Sequence, residues 1–123
     1  MYPPIFKTCS ASIAVKALLG TDPVRLYPFG KAPQDVQLPY VVWQTITGEP
    51  HNYLGDRPDV DGFTLQVDVY AETADSARAV VNALCDCIEP VARVSRWNGE
   101  DIDNETKTYR SSFDVDWTVR RQA

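Results

Sequence analysis

The sequence predicts an α+β domain: a mostly antiparallel sheet of about four to five strands with two helices on one face, in the order α-β-β-β-α-β-β. Three stretches carry this expectation. Phe63, Leu65, Val67, Val69 and Ala71 alternate with Thr64, Gln66, Asp68, Tyr70 and Glu72, the period of a strand with one core face. Directly afterwards Ala77, Val80, Val81, Leu84, Ile88 and Val91 recur at helical spacing, with Asp75, Arg78, Asn82, Asp86 and Glu89 opposite them. Near the C-terminus Tyr109, Ser111, Phe113, Val115, Trp117 and Val119 alternate with Arg110, Ser112, Asp114, Asp116, Thr118 and Arg120.

Taken in order, Pro3 and Pro4 precede a helix expected over Ile5 to Leu19, with Gly20 as its stop. Phe6, Cys9, Ile13 and Ala17 form its stripe, and Val15, Leu18 and Leu19 widen it. Val24 to Phe29 reads as a short strand, followed by a proline-punctuated loop from Lys31 to Leu38. Tyr40 to Thr47 reads as a strand with apolar groups on both faces, so it is central or half of it meets another subunit. Gly48 to Gly62, rich in glycine, proline and acids, reads as a long loop, and long loops are usually functional or mobile. In the central unit, Thr73 is the expected N-cap and Pro90 the stop. Ala92 to Trp97 is a further strand, and Asn98-Gly99 supplies turn chemistry before the acidic run Glu100, Asp101, Asp103 and Glu105.

The 123 residues are the length of one ordinary domain, and no repeat or linker divides them, so a single domain over 1–123 is expected. The chain is 44% hydrophobic and 24% charged, which suits a globular core, and its net charge of −5 argues against non-specific nucleic-acid binding. The N-terminus lacks the pattern of a signal peptide or a membrane span, so a reducing cytoplasm is the expected place of folding.

The inventory of reactive groups is poor. Three cysteines cannot all pair internally, and Cys85 and Cys87 point roughly 200° apart on a helix, so neither a shared metal nor a mutual bond suits them. Cys9 could join them only through the fold. A single His51 has no nucleophile tied to it by motif, which favours a solvated histidine over a general base. Asp56, Asp59 and Asp61 suggest a cation loop, but Arg57 and Pro58 interrupt the spacing and no terminal Glu follows. No phosphate-binding glycine loop or nucleophile elbow is present. No catalytic residue, metal site or cofactor is expected. Asp68, in mid-strand, is either solvent-facing or paired with an arginine such as Arg110 or Arg120.

Arg25-Leu26-Tyr27-Pro28, Leu38-Pro39-Tyr40-Val41-Val42-Trp43, Gln66-Val67-Asp68-Val69-Tyr70-Ala71 and Thr73-Ala74-Asp75-Ser76-Ala77-Arg78 follow one another in an order and spacing that nearly span the chain. The set resembles the tail-terminator, or tail-completion, proteins of long-tailed bacteriophages and prophages. That resemblance implies a small α+β fold without catalysis. It also implies a homo-oligomeric ring, commonly a hexamer, that stops tail-tube growth and presents a surface to the head-tail connector. The implied partners are therefore copies of the chain itself, the tail tube protein and the connector protein. DNA would pass through the lumen without specific binding, and the implied location is the virion tail after assembly in the host cytoplasm, with no membrane. The matching positions are mostly structural: Tyr27, Pro39, Tyr40, Val67 and Asp68.

Interface residues are inferred from the sequence itself. A closed ring needs two different patches on each copy. The candidates are Tyr40, Val42 and Trp43 on the two-faced strand, Tyr53, Leu54, Asp56, Arg57 and Asp59 in the long loop, Asp68 and Tyr70, and Trp97 near the expected turn. Acids at Asp56, Asp59, Asp61, Glu100 and Asp101 would suit a lumen that repels DNA. Other readings are a neck or head-closure protein of the same fold, a small dimeric ligand-binding regulatory module, and, least supported, an enzyme.

Overall fold

In the computed structural model, residues 2–53 and 56–121 are described, with backbone alone for 49–53 and 56–59. The elements are α1 (Ile5–Ser10), α2 (Ile13–Leu19), β1 (Leu26–Pro28), β2 (Tyr40–Tyr53), β3 (Asp56–Ala71), α3 (Ala74–Ile88), β4 (Arg93–Asp103) and β5 (Thr108–Arg120). They form one mixed sheet in the spatial order β1-β2-β3-β5-β4. Only the β1–β2 pair is parallel. The expected α+β class and chain order hold.

Period explains the core. Leu65, Val67, Val69 and Ala71 of β3 are fully buried on the face that also carries Val41, Phe113 and Val115. α3 covers this face with Ala77, Val80, Leu84 and Ile88, and α1 and α2 add Ile5, Cys9, Val15 and Leu19. Each Val, Leu, Ile or Phe side chain among them contributes about 1.5–3 kcal/mol on leaving water. Thr73 caps α3 as expected, its hydroxyl accepting from Ser76 N at 3.0 Å, and Asp75 sits in the positive first turn. Val91 lies beyond the helix end and is exposed, so the apolar stripe stops at Ile88.

Three expectations are corrected. The first helix is two helices. Ser12 adopts extended backbone and caps α2, its hydroxyl accepting from Val15 N at 3.3 Å. The break at Ala11 and Ser12 resets the helical phase, so each short helix buries its own i, i+4 pair: Ile5 with Cys9, then Val15 with Leu19. Phe6 and Ile13, expected in one stripe, are exposed.

The stretch read as a long loop is mostly strand. β2 and β3 continue pairing through Glu49↔Gly62, Pro50↔Asp61, His51↔Val60 and Tyr53↔Asp56. Pairing of β3 with β5 ends at Val60↔Arg120, so the outer part of this hairpin runs beyond the sheet. Proline and glycine made it read as a loop, yet backbone pairing in a two-stranded ribbon tolerates them at outer positions.

Asn98-Gly99 is not the turn. β4 passes through it with register shifts between Val94 and Arg96 and between Trp97 and Gly99, and Gly99 takes φ 106°. A glycine at positive φ fits such a bulge without steric cost. The chain reverses after Asp103, whose carboxylate accepts from Glu105 N at 2.9 Å and Thr106 N at 3.4 Å.

The first two segments of the family-like pattern meet in space. Arg25 donates from Nε to Pro39 O at 2.9 Å and from Nη2 to Leu18 O at 3.2 Å. Val41 N donates to Arg25 O at 2.9 Å. One guanidinium thus joins the end of α2 to the start of β2 and seats β1 on the sheet edge.

Candidate assembly interface

The sheet has one face under the helices and one open face. Strand alternation and register place Tyr40, Val42 and Gln44 of β2, Gln66, Asp68 and Tyr70 of β3, and Arg110, Ser112 and Asp114 of β5 on the open face. Tyr40 and Tyr70 are directly cross-strand, and their rings stack with centroids 4.9 Å apart. Burial raises the pKa of both phenols, Tyr70 still further through the charge of Asp68 and Tyr40 through its neighbour Tyr70.

Beside this stack Arg110 joins three strands. Its Nη2 donates to Asp68 Oδ1 at 3.2 Å and its Nη1 to Asp101 Oδ2 at 3.4 Å. Gln66 Nε2 also donates to the Asp68 carboxylate, at 3.2 Å to each oxygen. Asp68 is therefore a buried, satisfied anion, and the arginine reading of this position holds with Arg110 as its partner. Asp114 is held in the same way by Asn98, whose Nδ2 donates to Oδ1 at 2.7 Å. The bulge that brings Asn98 to this face is thus used by the network.

Trp97 is on the other side of the sheet. Its ring tilts against Phe113 at 5.7 Å while 63% of the residue remains exposed. It lines a groove of about 320 Å³ between β4 and α3, with Arg78, Val81, Asn82, Glu100 and Ser111 among the walls. Arg78 and Glu100 close one side of it through two parallel hydrogen bonds of 3.0 Å each. The arginine holds the Glu100 carboxyl below its ordinary pKa. Ile102, 40% exposed, continues the apolar surface along β4. β4 is the last strand of the sheet, so its outer backbone edge has no strand partner among the described residues.

The sequence candidates therefore divide. Tyr40, Val42, Asp68 and Tyr70 share the open face. Trp43, from the other side of β2, packs against the core. Trp97 lies on the helix side at the far edge. Tyr53, Asp56, Arg57 and Asp59 belong to the hairpin strands, where only backbone is described, and Leu54 lies outside the described residues. Of the proposed lumen acids, Asp61 accepts two bonds of 2.9 Å from Arg121, Glu100 is held by Arg78, and Asp101 by Arg110. Sequence reading missed the pairings of Arg78 and Arg121, because a cation's partner depends on strand register and helix placement rather than on local pattern.

Among the described residues, no group of three or more His, Cys, Asp and Glu side chains could hold a metal ion, and no helix is long and apolar enough to cross a membrane. No buried side-chain nitrogen or oxygen among them lacks a hydrogen-bond partner.

The sequence matches the family described as "Tail completion protein gp17" over residues 3–120, nearly its whole length. The chain belongs to this family. Tail completion is a structural task in a bacteriophage-type virion, and the Arg25, Pro39 and Tyr40 contacts, the Asp68–Arg110 pair and the capped α3 are how this tail completion chain builds its scaffold. A solved chain titled "Virion of native gene transfer agent (GTA) particle" has a similar fold. Its TM-score is 0.61 at 14% identity, over 94% of this chain and 91% of that one. Among curated proteins, none matches the sequence.

Proposed function

We propose that this tail completion protein forms a closed ring of identical copies that caps the tail tube and joins it to the head connector, with residues 1–123 acting as one non-catalytic domain. The family match over residues 3–120 carries this reading. The surface supports it physically. A head-to-tail ring needs two unlike patches per copy, and this chain separates its exposed apolar groups. Trp97 and Ile102 lie along β4 at one sheet edge, and Phe6 and Ile13 lie on the N-terminal helices. The projecting β2–β3 hairpin offers a third contact, through which Tyr53 and Leu54 would reach a neighbouring copy or the tube. Tyr40, Val42 and Tyr70 on the open face complete the partner-facing set, with Asp68 and Trp43 supporting it from within the sheet.

The net charge of −5 disfavours phosphate binding, which supports passage of DNA through the lumen without specific binding. Asp61, Glu100 and Asp101 of the proposed lumen set, which also includes Asp56 and Asp59, are held by arginines.

The test is native mass spectrometry of the purified protein over a concentration series, with and without tail tubes. A closed ring, alone or on tubes, is the expected species. A strict dimer under both conditions would overturn the ring and favour a dimeric regulatory module. A monomer that ignores tubes would also overturn it.

A further inference from the structure

Cys9 of α1 and Cys87 of α3 are 78 positions apart in sequence, yet their sulfur atoms lie 3.2 Å apart. Both are free thiols, as is Cys85. From this juxtaposition we infer that Cys9 and Cys87 are a disulfide-forming site that staples the N-terminal helix to the central helix, while Cys85 stays reduced.

The geometry assigns the order of events. Cys9 is fully buried, whereas Cys87 is only part-buried and so is the sulfur a reagent can reach. As a thiol, Cys87 lies 3.1 Å from the carbonyl oxygen of Leu84 and can donate to it. Once Cys87 ionises, the Cys9 thiol donates to it. That hydrogen bond holds the Cys87 pKa below its ordinary value and raises that of Cys9. Cys85 lacks this help: burial pushes its thiol up to about 11, with the charges of Glu89 and Asp86 adding to the rise. Thiolate character and access both select Cys87 as the attacking sulfur.

The oxidant is a small-molecule disulfide of the oxidised glutathione type. The Cys87 thiolate attacks one of its sulfurs, forming a mixed disulfide and releasing one thiolate. Cys9 then gives up its proton and attacks Cys87 Sγ, which expels the second thiolate. The two protons from Cys9 and Cys87 end on the two released thiols, so two protein thiols are oxidised and one reagent disulfide is reduced. The sulfurs must close from 3.2 Å to about 2.0 Å for the bond to form. The bridge closes a long loop, which restricts the unfolded chain and holds α1, with its exposed Phe6, against α3. On the reading of the chain as a virion component, the bridge forms after the particle leaves a reducing cytoplasm. That timing rests on the proposed function; the bridge itself does not.

The test is incubation of the full chain with oxidised glutathione, alkylation of the remaining thiols, and non-reducing digestion with trypsin plus a protease that cuts before Asp86, followed by mass spectrometry. The expected product has lost two hydrogens, joins the Cys9 peptide to the Cys87 peptide, and carries alkylated Cys85. Cys85→Ser gives the same bridge, Cys87→Ser gives none, and the oxidised wild type melts above its reduced form. Three alkylated thiols, a persistent glutathione adduct on Cys87, a bridge to Cys85, or an unchanged melting temperature in the oxidised product would each overturn the proposal. All of these readouts are made on the single chain, so they stand apart from whether it forms a ring.

Discussion

Asp68, buried in the middle of β3, accepts a hydrogen bond from Arg110 Nη2 on the adjacent β5 at 3.2 Å. The same guanidinium reaches Asp101 on edge strand β4, so one side chain ties three strands together across the open face. Removing it leaves the Gln66 amide, which donates to both oxygens, as the side chain holding the Asp68 carboxylate.

Arg110→Met is expected to destabilise the fold by about 1–3 kcal/mol. The lower half of that range is favoured, because 37% of the Arg110 side chain remains exposed and water can partly replace it. Asp68→Asn combined with Arg110→Met should cost less than the sum of the two single changes. Urea denaturation of the four proteins checks this; strict additivity would show that the two residues do not act as a pair.

Alkaline pH should weaken the fold through the Tyr40–Tyr70 stack. Both phenols have folded-state pKa values raised above the ordinary 10.0, first by burial. The folded state therefore holds these protons more tightly than the unfolded chain does. Their stabilising contribution is fully present below pH 10 and is lost as pH rises through the raised values. Tyrosinate absorbance should show two phenols ionising above pH 10, and Tyr70→Phe should lower the Tyr40 midpoint.

The α3 N-cap offers a local test. Thr73→Ala removes the acceptor for Ser76 N and should cost about 1 kcal/mol, whereas Thr73→Ser should cost much less. A thermal melt of both variants separates the cap from general side-chain packing. Equal losses would count against the hydrogen bond as the cause.

Phe113→Ala should be far more damaging, at about 3–5 kcal/mol, because Phe113 is fully buried where β5 meets both Trp97 and the core. Trp97→Ser is expected to shift chemical stability by less than about 1 kcal/mol, since most of the residue is exposed. On the ring reading it should nevertheless weaken assembly tenfold or more, about 1.4 kcal/mol per contact. Sedimentation velocity beside urea denaturation measures the two effects; assembly equal to wild type would remove Trp97 from the interface.

What could be read from sequence is what neighbours along the chain encode. The alternation around Phe63 to Ala71, the helical spacing from Ala77 to Ile88 and the Thr73 cap are all short-range patterns, and each produces its element wherever the chain later goes. Together they determined the α+β class, the element order and most of the core. The exposed or partnered status of Asp68 was open, because either reading satisfies the same alternation.

The tertiary structure decided the features that depend on register and on where elements dock. Asp68 lies opposite Ser112, which puts Arg110 within reach and leaves Arg120 far down the strand, opposite Val60. The break at Ser12 exposes Phe6 and Ile13, a result that a continuous helical wheel cannot anticipate. Cys9 meets Cys87 only because α1 packs against α3, whereas Cys85, two residues from Cys87, points elsewhere on the same helix. Local periodicity chooses the element; long-range packing chooses which side chains face one another, and in this chain the second choice sets both the charged network and the thiol pair.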